Sequence, residues 1–255
     1  MSADFAAKVF STPSERIWKP DRATLLSARV VTEEVDGMAF AAAATAGRPV
    51  TREGIEKQLQ EITGFAALRR ADPIAYAQMV EAMETGIRNG SSLEEVLTEV
   101  RAPLATAIDR FRKVAEDDIQ VRIAAIESEE ARTLAADHPD LCLAMLNGSP
   151  QKGVGYFAFL PADIQNRGTE LTAAIIESGS SRPQNWLITD KDANAEMDQL
   201  WRKVQSKGID ISRVGKPPVT VSDERSSCIA MGEFMANVAR LPPAAAGALM
   251  RYLAR

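Results

Sequence analysis

Residues 103–136 read PLATAIDRFRKVAEDDIQVRIAAIESEEARTLAA, and after the opening proline the run holds neither proline nor glycine. Leu104, Ile108, Phe111, Ala115, Ile119, Ile123, Ile126 and Leu134 recur mostly three or four apart, the spacing of one helical face. That pattern leaves Asp109, Arg112, Glu116, Gln120, Glu127 and Glu130 for water. A single helix of this length would span roughly 50 Å and could not bury its stripe alone. The expectation is therefore an all-α fold, an irregular multi-helix bundle around a long central helix at about 103–136, with at most a minor β element.

The rest of the composition agrees. Aromatic residues make up only 5% of the chain while alanine is abundant. Such cores suit closely packed helices better than sheets, which favour β-branched and aromatic side chains. With 255 residues and an apolar fraction of 45%, the chain can bury a sizeable core.

Turn residues divide the chain. Residues 1–21 carry Pro13 and Pro20 and read as an N-terminal arm that Trp18 anchors. A helical lobe follows over 22–147, with helices at Arg22–Ala46, Thr51–Ala71 and from Pro73 to Ile87. Asp72-Pro73 caps and starts a helix, Asn89-Gly90 ends it, and Ser92 with Glu95 forms a capping box. Pro103 begins or kinks the long helix. A second helical lobe covers 148–255, or continues the same domain, with Tyr156–Leu160 and Trp186–Ile188 as possible extended pieces. Ser222 caps the helix carrying Cys228, and the last helix ends in cations.

Several function classes receive no support. The net charge is −5 with both signs interspersed, which argues against binding the phosphates of a nucleic acid. The longest apolar run, Met38–Ala46, falls far short of the ~20 residues of a transmembrane segment. The first twenty residues lack the pattern of a signal peptide. The protein is expected in the cytoplasm, or else exported or membrane-anchored with its targeting segment outside this sequence.

GSPQKGVG at 148–155 resembles a phosphate loop but lacks the Lys-Ser/Thr pair and the preceding strand. It reads as an inter-helix loop, and no cofactor is expected. His138 is the single histidine, which argues against multi-His metal sites, so no metal is expected. It reads as part of a helix-start turn, with Cys142 one turn on as a conceivable Cys-His partner. The acidic pairs Glu33-Glu34, Asp117-Asp118 and Glu129-Glu130 read as solvated faces, because neighbours on a helix diverge by about 100°. Asn89-Gly-Ser91 and Asn147-Gly-Ser149 match glycosylation sequons but also serve as helix ends. Met231, Met235 and Met250 read as core rather than as a binding groove.

Cys142 and Cys228 are the two cysteines. Both fall on apolar faces, either as buried thiols or as a possible disulfide tying the middle of the chain to its C-terminal part, which would imply an oxidising compartment. With no convergent catalytic residues, the expected function is a non-enzymatic helical interaction module, an adaptor or regulator that binds a protein partner. The alternative is a hydrolase or other enzyme acting near His138 or through a carboxylate pair.

Overall fold

The computed structural model describes residues 51–91, 93–147 and 155–255. Among them are ten α-helices, one 3-10 turn and no strand, so the fold is all-α. The N-terminal arm, the helix at 22–46, Ser92 of the predicted capping box, the loop 148–154 and the Glu33-Glu34 pair lie outside the described residues.

The predicted helix Thr51–Ala71 is two helices, α1 (Arg52–Gln60) and α2 (Thr63–Ala71), separated at Glu61-Ile62. Thr51 opens α1 by accepting a hydrogen bond from the Gly54 amide at 3.1 Å. Helix α3 (Pro73–Arg88) starts where the sequence places it: the Asp72 carboxylate accepts from the Ala75 amide at 3.0 Å and Pro73 holds the first position. It ends at Asn89, and Gly90 takes the left-handed conformation, φ +73°, that glycine adopts without strain.

The long central helix does not form as one piece. Helix α4 (Leu93–Arg112) runs through Pro103, and α5 (Asp117–Asp137) begins after a break at 113–116. The position of the break follows from distant partners. The Gln120 side chain donates to the Arg112 carbonyl, the Gln184 amide to the Val114 carbonyl at 2.7 Å, and Arg251 Nη1 to the Ala115 carbonyl at 2.9 Å. The Glu116 amide donates to Ser178 Oγ at 2.9 Å. Groups that a continuous helix would pair internally are thus satisfied from elsewhere.

Helix α6 (Pro139–Leu146) follows α5, and a 3-10 turn covers Tyr156–Phe159 where an extended piece was possible. Helix α7 (Ala162–Ser181) leads into an irregular segment at 183–189, so Trp186–Ile188 pairs with no strand. Helix α8 (Asp190–Ser206) is capped by Thr189. Helix α9 (Val221–Val238) begins at Thr220 rather than Ser222, through a reciprocal capping box with Asp223. Helix α10 (Pro243–Leu253) closes the chain.

Helix α5 is the centre of the packing. Helices α9, α10, α7 and α6 all lie against it, while α7 also packs on α2 and α4. One core therefore draws on residues from both sides of 148–154, including Leu68, Val80, Leu134, Ile176, Leu200 and Leu249. Because α5 is covered on several sides, two of its predicted water-facing residues are buried: Gln120 and Glu130. Arg251, one of the cations with which the last helix ends, is 1% exposed.

Candidate functional site

A groove of about 220 Å³ opens where α2, α4, α7 and the 3-10 turn meet. Ile62 and Phe65 come from the start of α2, Leu104 and Ile108 from α4, and Phe157 from the turn. Helix α7 supplies Gly168, Thr169 and Thr172. The threonine hydroxyls donate back to the carbonyls of Gln165 and Gly168, each at 3.0 Å. With those hydroxyls bonded inside the helix, the methyl of Thr172 faces Gly64 across the α2–α7 contact. The wall is therefore apolar, and Ile62 stands in it 45% exposed.

One end of this groove adjoins a buried polar group. A Cβ on Gly168 would stand 3.1 Å from the Phe157 ring and 3.8 Å from Glu130 Oε1. The small residue on α7 thus lets the ring and the carboxyl share one notch. Glu130 is 4% exposed. Burial, then the neighbouring Glu127, raises its carboxyl from 4.5 to about 8, so it holds its proton at neutral pH.

The cations near it are engaged elsewhere. Arg112 Nη1 pairs with Glu127 at 2.7 Å, and Arg167 forms a two-point pair with Glu129, one contact at 3.0 Å. Arg112 Nε and Gln120 Oε1 are buried without hydrogen-bond partners. Tyr156, also close by, is pushed well above the usual phenol range, first by burial and then by the charge of Glu130.

The pair Glu129-Glu130 therefore divides. Hydrogen bonding to Arg167 holds Glu129 below the usual glutamate range, while its neighbour turns inward and stays protonated. Glu130 is not the solvated acid the sequence pattern implied. A signal was present: Ile123, Glu127, Glu130 and Leu134 form an i, i+4, i+7, i+11 stripe, which places both acids on a partly apolar face.

The other candidates fall elsewhere. Asp117 receives Arg251 Nη2 at 2.6 Å while Asp118 is exposed. His138 lies with its imidazole 4.2 Å from the Phe159 ring. Cys142 is bonded instead to Cys228, a disulfide between α6 and α9 with Cα atoms 6.0 Å apart. Met235 and Met250 are buried in the core. Asn89 caps α3, whereas Gly148 and Ser149 of the second sequon lie outside the described residues. Among the described residues no group of acids, histidine and cysteines is arranged to hold a metal ion, and no helix is long and apolar enough to cross a membrane. In comparisons with known proteins, no family, no curated protein and no solved structure matches this chain.

Proposed function

We propose that this protein is a helical interaction module whose groove between α2, α4 and α7 receives aliphatic side chains of a partner polypeptide. The groove carries this reading: Ile62, Phe65, Leu104, Ile108 and Phe157 line a concave apolar surface, the form in which one helical protein grips a segment of another. Burial of Cys142 and Cys228 at bonding distance supports a place of work in an oxidising compartment rather than the cytoplasm.

The experiment is parallel affinity capture of the wild type and of Ile62→Glu from the native cells, with the helical content of both checked by circular dichroism. A stoichiometric protein that accompanies the wild type and is lost from the folded variant is the expected result. Recovery of the same partner by both proteins, or of none by the wild type, overturns the reading.

A second reading is an enzyme that uses Glu130 as a general acid, supported by a carboxyl that keeps its proton at neutral pH. It requires turnover that falls sharply in Glu130→Gln. Turnover unchanged in that variant removes it.

A further inference from the structure

We infer that the hollow between the last turns of α5 and the first half of α9 binds a small aliphatic carboxylate. Arg132 and Arg225 hold the carboxylate and Ile229 supports its stem. The hollow has a volume of about 410 Å³ and is lined by Arg132, Ala135, Ala136, Arg225 and Ile229. It shares no lining residue with the groove of Phe157, so the two readings stand or fall separately.

Charge carries the assignment. Two guanidiniums line the hollow, and no acid is part of its wall. Arg225 donates from Nε and Nη2 to the carbonyls of Ala135 and Ala136, at 3.1 and 2.8 Å. Arg132 Nη2 donates to Ser128 Oγ at 2.7 Å. Among the described residues neither forms an ion pair with a carboxylate, unlike Arg112, Arg167 and Arg251. Glu129, one turn before Arg132, feels its charge but is bonded to Arg167. Among these residues Arg132 Nε and Nη1 and Arg225 Nη1 are left as donors for an oxyanion, the group that a guanidinium fork fits.

The surroundings choose among oxyanions. Ala135 and Ala136 present the carbonyl end of α5, where the helix dipole places partial negative charge. Arg225 offsets it, yet a doubly charged phosphate meets more repulsion there than a singly charged carboxylate. The rest of the wall is aliphatic, with Ile229 40% exposed, and covering it favours a carboxylate carried on a hydrocarbon stem. A cavity of this size lies in the range of small-molecule sites.

The wall is held in place before a ligand arrives. A Cβ on Gly232 of α9 would stand 2.9 Å from the Ala131 Cβ, so the two helices touch beside Arg132. Cys228, one turn after Arg225, is bonded to Cys142, and its Sγ lies 3.2 Å from the Ala131 carbonyl oxygen. The two hydrogen bonds of Arg225 fix its guanidinium plane, so little freedom is lost on binding.

The test titrates hexanoate, n-hexanol and hexyl phosphate into the full chain at pH 7 and low ionic strength, followed by NMR amide shifts. Hexanoate is expected to bind about tenfold more tightly than hexanol. It should also bind more tightly than hexyl phosphate, with shifts at residues 132–136 and 225–229. Raising the salt should narrow the preference over hexanol. In Arg132→Met, which gives up only a bond to Ser128 within its own helix, acid and alcohol should bind alike. Ile229→Glu sets a carboxylate of the chain's own beside the arginines and should abolish hexanoate binding. Circular dichroism checks that both variants fold.

Equal binding of hexanoate and hexanol by the wild type, or binding of neither, overturns the site. Tighter binding of hexyl phosphate overturns the choice of a carboxylate. A preference for hexanoate that persists in folded Arg132→Met, or shifts confined to the Phe157 groove, overturns the place given to it.

Discussion

Arg251 Nη2 on the last helix donates to Asp117 Oδ1 on the first turn of α5 at 2.6 Å, from a side chain that is 1% exposed. The same guanidinium donates to the carbonyls of Ala115 and Trp186, at 2.9 and 3.2 Å. One buried cation therefore binds the break between α4 and α5, the segment after α7 and the C-terminal helix. Gly247 makes this approach possible: a Cβ there would stand 2.0 Å from Asp117 Oδ1.

Arg251→Met is expected to destabilise the protein by about 3 kcal/mol, because Asp117 and two carbonyls lose a buried donor. Asp117 retains 26% exposure, which holds the loss to the low end for a broken buried pair. Adding Asp117→Asn should recover part of it. Urea unfolding of the two single variants and the double variant measures the coupling.

Gly179 on α7 crosses α4 so closely that an added Cβ would lie 2.5 Å from the Phe111 carbonyl oxygen and 2.9 Å from its Cα. The obstacle is backbone, which cannot rotate away. Gly179→Ala should cost about 1–3 kcal/mol, despite alanine's better helix propensity. A thermal melt that is unchanged or raised would contradict this packing.

The pH dependence of stability should carry the mark of Glu130. Its carboxyl rises from 4.5 to about 8 on folding, so between those values the folded protein holds a proton that the unfolded chain has released. The stability from this group is complete below about pH 4.5 and is lost as pH rises through 8, at about 1.4 kcal/mol per unit. Glu129 acts in the opposite sense: its lowered carboxyl stabilises above the normal glutamate range and loses that contribution as acid protonates it. Urea midpoints at pH 5, 6.5 and 8 should fall steeply in the wild type and less in Glu130→Gln.

Cys142 and Cys228 are 86 positions apart in sequence, and a bridge over such a loop restricts the unfolded chain strongly. Replacing both by alanine should remove about 4–5 kcal/mol in the chain-entropy account. Alkylation of denatured, unreduced protein from its native compartment should find no free thiol. Two alkylated cysteines would show that the pair is reduced there.

Local chemistry was readable where one residue sets one outcome. Asp72-Pro73 starts α3 and Asn89-Gly90 ends it because a capping carboxylate, a fixed proline φ and a left-handed glycine act within a few residues. The break after Arg112 had no such marker. Lys113-Val-Ala-Glu116 contains no helix breaker, and its freed backbone groups are paired from a distance, by Ser178 Oγ as acceptor and by the Gln184 amide and Arg251 as donors. Pro103 does not begin a helix but lies inside α4, since a helix tolerates the loss of one hydrogen bond when its neighbours pack well.

The candidate site divides along the same line. The apolar members of its wall, Leu104 and Ile108, stand on the predicted stripe of α4. Glu130 carried only a weak mark, its place on the stripe with Ile123 and Leu134, because a glutamate at such a position faces water unless other elements cover it.

The sequence by itself determined the all-α class, the capped helix starts and the apolar faces, since these depend on propensity, periodicity and turn chemistry within one or two helical turns. Tertiary structure alone decided where the central run breaks, that Glu130 and Arg251 are buried, and that Cys142 meets Cys228. Each of those outcomes depends on which side chains arrive from distant parts of the chain. Burial and charge pairing are properties of the assembled surroundings, not of the residue that experiences them.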